Sequence, residues 1–331
     1  MGEGQGVRAF ISPVARSDVP GSAGALADLH PLARCAQREE IGYPVVTYVQ
    51  VIISGLLLGG VYALLAGGLT LIFGVMRVIN LAHGEFLMLG AYASYFLFMR
   101  LGLNPIVSLI LTMPVMFGIG WVTQRFLITR VVRAPLLTSL LLTYGVSLAL
   151  TGGAQALFTN DFRSVPFMSG AVNIGELALS VPRLVACGVA LALTAGAQYF
   201  LVRTRWGKAL RATAQSADVA LACGIDVDRA RTIAFGIAVA LAGAAGTLTS
   251  FLYTVYPEMG RTFMLKAFAV IVLGGMGSFP GAFLGALVLG VIESTAGYLT
   301  TTQIAEAVIY ITLLAMLLLR PQGFRSEEHT S

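Results

Sequence analysis

Long stretches without a charged residue are the feature that most restricts how this chain can fold. Residues 44–76 contain no Asp, Glu, Lys or Arg, and the same is true of 101–124, 134–160 and 267–292. About 20 apolar residues are enough for a helix to cross a bilayer. Charged residues make up 11% of the chain, against about 25% in soluble domains. The sequence therefore predicts an all-α polytopic membrane protein.

The number and direction of the membrane segments follow from the remaining apolar runs and from the basic loops. With further runs in the second half of the chain, we expect about eight transmembrane segments. Residues 125–133 carry three arginines and no acid, and 203–231 carry six basic residues against three aspartates. Because cytoplasmic loops are enriched in Lys and Arg, both are predicted to be cytoplasmic. The net charge of +5 is explained in the same way, without nucleic-acid binding.

The two ends of the chain are expected to lie outside the membrane domain, which is predicted to be residues 44–324. Residues 1–43 mix both signs of charge and lack the apolar run of a signal peptide, so we expect a disordered or non-native extension. The tail RSEEHTS, residues 325–331, resembles a translated sequencing adapter. The scattered Cys35, Cys187 and Cys223 form neither a disulfide framework nor a zinc pattern.

A polar interruption stands out in the first half of the membrane domain. Asn80, His83 and Glu85 follow Arg77 between two apolar runs. They could line a passage or hydrogen-bond an unwound backbone, or they could belong to a solvated inner loop. An ionisable group at membrane depth costs about 2.5–3.5 kcal/mol, so such groups usually face a bundle interior or a pathway. One His with one Glu falls short of a metal site, and no metal is expected.

A second interruption, GGMGSFPG, lies within the uncharged residues 267–292. It lacks the lysine and hydroxyl of a nucleotide-binding loop. If this segment crossed the membrane once, the C-terminus would be outside, whereas Arg320 after the last apolar run favours the cytoplasmic side. We therefore predict a break at 274–281 followed by re-entry or a second crossing. Lys266 and Glu293 flank the segment and are expected to extend to the membrane surface. No nucleophile–base pair is visible, and no catalytic site is predicted.

Four blocks of sequence, in order along the chain, carry a resemblance to a known family. They are GLLLGGVYALLAGGLTLIFGVMRVINLAHGEFLMLGAY (55–92), GKALRATAQSADVALACGIDVDRAR (207–231), VLGGMGSFPGAFLGALVLGVIES (272–294) and RPQG (320–323). Through them the chain resembles the permeases of branched-chain amino acid (LIV-type, LivH-like) ABC importers. The resemblance implies inward transport of branched-chain amino acids, related amino acids, urea or short amides across a bacterial or archaeal cytoplasmic membrane.

The resemblance also implies partners. These are a second homologous permease, two cytoplasmic ATPase subunits and an extracytoplasmic substrate-binding protein. ATP would be bound by the ATPase subunits, so this chain is expected to be a transport subunit without cofactor or enzymatic activity. Paired interruptions in two halves of a transporter point to its substrate path. The path is therefore predicted at Asn80, His83, Glu85, Gly274, Gly275 and Gly277.

Residues 203–231 resemble the coupling segment that docks on an ATPase. The stretch 208–222 is rich in alanine and lacks proline, which predicts one or two short helices with Gly224 as the cap. The resemblance is centred on Gly207, Arg211, Ala212, Ala220, Gly224 and Ile225, although the leading Glu of the general EAA-type motif is absent. The alternative is a basic loop that only sets topology.

A different class of transporter is also compatible with the polar residues. In an ion-coupled secondary carrier, His83 and Glu85 would form a proton or sodium relay. Uptake would then collapse with the ion gradient. An intramembrane enzyme is a third interpretation, and it lacks a nucleophile or metal set.

Overall fold

The structure of the protein is a computed structural model that describes residues 29–132 and 134–319. The chain divides into two units between Val46 and Thr47. Of the first unit, the structure describes the helix residues from Leu29 on, and side chains are described from Val45 onward. The rest of the expected N-terminal extension, Arg133, the RPQG block and the adapter-like tail lie outside the described residues.

Helices dominate the described residues, as predicted. Within them seven helices are long and apolar enough to cross a membrane. Together with shorter helices they form the expected all-α membrane architecture. The helices are α1 (Leu29–Met76), α2 (His83–Leu101), α3 (Pro105–Phe126), α4 (Leu136–Phe158), α5 (Val181–Arg203), α6 (Arg205–Gln215), α7 (Ala217–Ala222), α8 (Val227–Thr249), α9 (Met259–Gly274), α10 (Phe279–Leu299) and α11 (Thr302–Leu319). An antiparallel hairpin of β1 (Ala171–Ile174) and β2 (Leu177–Ser180) joins α4 to α5.

Helix α8 forms the centre of the bundle and packs against α2 and α3. Glycines let the α2 and α8 backbones touch: Gly90 lies against Gly243, and Gly246 lies against Leu87 and Ala91. A Cβ atom at Gly246 would come within 2.8 Å of the Ala91 amide nitrogen. Small residues at helix crossings are a common packing device in membranes, where lipid removes the hydrophobic drive between helices.

The second predicted break is confirmed. Helix α9 ends at Gly274 and α10 begins at Phe279, with a turn in which the Ser278 amide donates to the Gly275 carbonyl at 3.2 Å. Gly277 takes φ 92°, a conformation that only glycine adopts without strain. The two helices then run antiparallel. With 16 residues, α9 is about 24 Å long, which is shorter than a full crossing.

The two basic segments meet at one end of the bundle. Gln124 in the last turn of α3 and Thr129 after it line the same cavity of about 260 Å³ as Asp228 and Arg231 of α8. The prediction that both segments lie on the same side is therefore consistent with the fold. The β-hairpin joins the end of α4 to the start of α5, at the end of these helices that lies away from the two basic segments.

Gly246→Val should destabilise the bundle, because the added side chain would meet the α2 backbone and not a side chain that can move aside. Overpacking of this kind typically costs about 1–3 kcal/mol. Gly145→Val on α4 is the matched control, since a Cβ at Gly145 meets nothing within 4 Å. Thermal unfolding in detergent should show a lower midpoint for the first variant only. Equal midpoints would contradict the α2–α8 contact.

Cysteine labelling should place the basic end of the bundle in the cytoplasm. In a background without Cys35, Cys187 and Cys223, the exposed positions Arg130 and Asp218 are replaced singly by cysteine. Both should react with a membrane-impermeant maleimide only from the cytoplasmic side. Glu176→Cys on the hairpin should react only from the other side. Labelling of Arg130→Cys and Asp218→Cys from opposite sides would overturn the span assignment.

Candidate functional site

The first break is an unwound segment between α1 and α2. After α1, Arg77 is exposed and takes φ 52°, and its amide donates to the Phe73 carbonyl at 2.8 Å. This is a left-handed helix end of the kind usually made by glycine. Residues 77–80 have no regular structure, and α2 begins at His83. Asn80 therefore precedes the helix, whereas His83 and Glu85 lie in its first turn.

Asn80 organises the unwound backbone. Its carbonyl accepts from the His83 amide, and its Oδ1 accepts from the Ala82 amide, both at 3.2 Å. The Thr143 hydroxyl on α4 donates to the Ile79 carbonyl, also at 3.2 Å. The fold thus supports the interpretation that polar side chains satisfy an unwound backbone.

Burial excludes the solvated-loop alternative. The exposed fractions of Asn80, His83 and Glu85 are 1%, 0% and 3%. All three side chains therefore lie inside the bundle and not in a solvent-exposed loop. The role of these residues in a path stays a prediction.

His83 lies where α1, α2 and α8 meet. Its Nε2 is 3.1 Å from the Leu65 carbonyl oxygen, so in the tautomer that forms this bond Nε2 donates. A Cβ at Gly68 would be 3.1 Å from the imidazole and 2.8 Å from the Ala238 carbonyl oxygen. Glycine at position 68 therefore makes room for the imidazole.

Several polar atoms of this cluster lack a hydrogen-bond partner among the described residues. They are Nδ2 of Asn80, Nδ1 of His83 and Oε2 of Glu85. The Glu85 carboxyl group interacts with the Ser147 hydroxyl and the Arg261 guanidinium. Buried polar groups are nearly always paired in proteins, so these three atoms are exceptions within the bundle. The described residues contain no group of three metal-ligating side chains.

The glycines of the second break occupy a different place. Gly274 is buried against the Gly281 backbone, Gly275 is buried, and Gly277 is exposed beside Gly74 of α1. His83 instead contacts α1 at residues 65–68, roughly 10 Å away along the helix axis at 1.5 Å per residue. The fold does not bring the two predicted parts of the path together.

The structure contains a buried ion pair that was not predicted from the sequence. Lys266 Nζ lies 2.6 Å from Glu293 Oε1, and the Tyr62 hydroxyl donates to Glu293 Oε2 at 2.7 Å. The expectation that both charged groups reach the membrane surface is wrong, because the pair joins α9 and α10 inside the bundle beside α1. An antiparallel turn at 275–278 places the two positions opposite each other, so the predicted break was the signal that could have found the pair.

The segment predicted to couple to an ATPase, residues 203–231, contains two short helices, α6 and α7, which agrees with the expected one or two. The Thr204 hydroxyl caps α6 by accepting from the Gly207 amide at 3.0 Å, and Gly207 packs on the Phe200 carbonyl. After α7, the amides of Gly224 and Ile225 donate to the carbonyls of Leu221 and Ala220 at 2.9 and 3.0 Å. With Gly224 at φ 81°, this is a Schellman motif. The expected cap is confirmed.

The other predicted coupling residues divide between core and surface. Ala220 is buried and Ala212 is half-buried, so both hold the helices in place. Arg211 is exposed, and its Nη2 donates to the Val202 carbonyl at 3.2 Å. Beside them, Val219 and Leu221 of α7 are 62% and 61% exposed. Sequence reasoning missed this apolar surface, because an alanine-rich pattern does not show which face of a short helix is covered.

Comparison with known proteins agrees with this architecture. The sequence profile described as "Branched-chain amino acid transport system / permease component" matches residues 51–317. The chain is 30% identical over 291 residues to the high-affinity branched-chain amino acid transport system permease protein LivH of Salmonella typhimurium, covering 83% of this chain and 94% of LivH. It is 31% identical to the corresponding protein BraD of Pseudomonas aeruginosa, covering 83% and 95%. It is 26% identical to the ribose import permease protein RbsC of Bacillus subtilis, covering 83% of each.

The helical membrane fold and these matches show that the protein is a transport subunit of the ABC permease type. Within that class, the chain belongs to the family of branched-chain amino acid transport system permease components. The match spans both unwound segments and the coupling segment.

Glu85→Gln should lower transport about tenfold while the protein still inserts and assembles, because hydrogen bonds to a charged group are worth about 1.5–3 kcal/mol and the change removes only the charge. Uptake and membrane content are measured together. Glu176→Gln on the exposed hairpin is the matched control. Loss of assembly, or uptake equal to that of the control, would contradict a role for Glu85 in the path.

Proposed function

We propose that this chain is the permease subunit of an ABC importer that moves branched-chain amino acids inward across the cytoplasmic membrane. The capped coupling segment is the observation that carries the proposal. The names of the LivH and BraD relatives support this cargo over the ribose of RbsC, because their identity to this chain is higher. Related amino acids, urea and short amides are the other cargoes to test.

Coupling to ATP hydrolysis would occur through α6 and α7. Apolar side chains exposed on a cytoplasmic surface are expected to be covered by a partner, and Val219 and Leu221 provide such a surface. Two cytoplasmic ATPase subunits would bind ATP and dock there. Closure of the ATPases would then move α6, and with it α5, which continues into α6 through Thr204.

Substrate would be delivered by an extracytoplasmic binding protein and would cross beside the cluster of Asn80, His83 and Glu85. Polar atoms without partners provide hydrogen-bonding capacity in an otherwise apolar bundle. A second homologous permease would supply the other wall of the path. The membership of this chain in the ABC permease family favours ATP-driven transport over an ion-coupled carrier using His83 and Glu85.

Gly224→Val should weaken the docking of α6 and α7 on the ATPase, so that substrate no longer stimulates ATP hydrolysis and uptake. A Cβ at Gly224 meets nothing within 4 Å, so the change acts through the backbone, where a left-handed conformation costs a residue with a side chain about 1–2 kcal/mol. Gly224→Asn is the matched control, because asparagine tolerates this conformation.

In reconstituted complexes, substrate-stimulated ATP hydrolysis and uptake should fall together in Gly224→Val and stay near the original level in Gly224→Asn. Ligand affinity of the binding protein should be unchanged in both. Normal uptake by Gly224→Val would leave residues 203–231 as a topology signal only.

A further inference from the structure

Two adjoining cavities at the basic end of the bundle are not used by the proposed transport mechanism. The first has a volume of about 270 Å³ and lies between the end of α1, α6 and the turn before α10. The second, of about 500 Å³, is a groove between α5 and α10. Both are lined by Gln198, Phe279 and Pro280. The two cavities therefore adjoin at these three residues.

The first cavity has the chemistry of an anion site. Arg211 lines it, and no acidic residue is among its lining residues in the described part of the chain. Helix α10 begins at its wall, where the Ser278 hydroxyl caps the Gly281 amide at 3.2 Å, and the N-terminus of a helix carries partial positive charge. Thr70 also lines the cavity, and its buried hydroxyl has no hydrogen-bond partner among the described residues. A cation, a helix N-terminus and a free hydroxyl converge there.

The second cavity is apolar and faces outward from the bundle. Leu191 and Leu284 on its rim are exposed, and Phe283 lies in its wall. One polar group lines it without a partner in the described structure, the buried hydroxyl of Thr194. An exposed apolar groove on a membrane-spanning surface suits an acyl chain.

We propose that the two cavities together bind one phospholipid with an anionic headgroup. The phosphate lies beside Arg211 and the start of α10, one acyl chain lies in the groove between α5 and α10, and Thr194 reaches the ester region. Anionic lipids are attracted to basic groups on the cytoplasmic side of a membrane. An amino acid suits the space less well, because no acidic side chain lines either cavity to pair with its ammonium group.

A lipid in this position would connect the coupling segment to the turn of the second break. Arg211 belongs to α6, whereas Gly277 and Ser278 of the turn line the same cavity. Movement of α6 would then displace α10 through the bound phospholipid. The binding site itself does not depend on the cargo or on ATPase docking.

Photo-crosslinking tests the site in the full chain. The protein is placed in phosphatidylcholine nanodiscs with a trace of phosphatidylglycerol that carries a photoreactive acyl chain, and crosslinked peptides are identified by mass spectrometry. Crosslinks should concentrate on α5 and α10 around the groove, and unlabelled phosphatidylglycerol should compete while added phosphatidylcholine should not.

Matched variants separate headgroup from chain recognition. Arg211→Gln removes the charge, and Ala195→Phe fills the groove; each should reduce groove crosslinking about tenfold, as expected for loss of a charge-assisted contact or of the space for the chain. Lys208→Gln, also on α6, and Ala192→Phe, also on α5, change exposed residues that do not line the cavities. These controls should crosslink like the unmodified protein.

Three results would overturn the proposal. An unchanged preference of Arg211→Gln for phosphatidylglycerol would show that Arg211 does not bind the headgroup. Displacement of the lipid by leucine would show that the space receives the transported substrate. Disulfide formation between Ala195→Cys and a second permease subunit in the assembled transporter would show that the groove is a subunit contact.

Discussion

Direct contact between helix backbones at glycine is the constraint on which the rest of this bundle depends. Gly84 touches Gly260, Gly90 touches Gly243, and Gly274 touches Gly281. In a bilayer, helices gain little from burying apolar surface against each other, so close packing and polar contacts supply the association. These contacts hold the start of α2 deep in the bundle. The polar cluster of Asn80, His83 and Glu85 is buried for that reason.

Much of this arrangement could be predicted from the sequence, because hydrophobic length and glycine positions act locally. The uncharged runs identified the spans, the GGMGSFPG turn was recognised as a break, and Gly224 was recognised as a helix cap. The features that could not be predicted depend on contacts between residues that are far apart in the sequence. The Lys266–Glu293 pair, the distance between the two breaks and the exposed face of α7 all require knowledge of which helices are neighbours.

The two breaks contact α1 at two different levels. The upper level holds the buried cluster of Asn80, His83 and Glu85, with three polar atoms that have no partner among the described residues. The lower level holds the glycine turn before α10, helix α6 and the two adjoining cavities. Helix α1 contacts both levels, through Leu65 and Gly68 above and through Gly74 below. One continuous helix therefore joins the two levels.

The energy source for transport tests the account most directly. Proteoliposomes would contain this permease with its second permease, ATPases and binding protein, and uptake of labelled leucine would be followed with and without ATP. The account predicts uptake that requires ATP and the ATPase subunits and that persists when a protonophore and a sodium ionophore are added. Uptake by this chain without the ATPases, driven by an ion gradient and abolished by the ionophores, would contradict it.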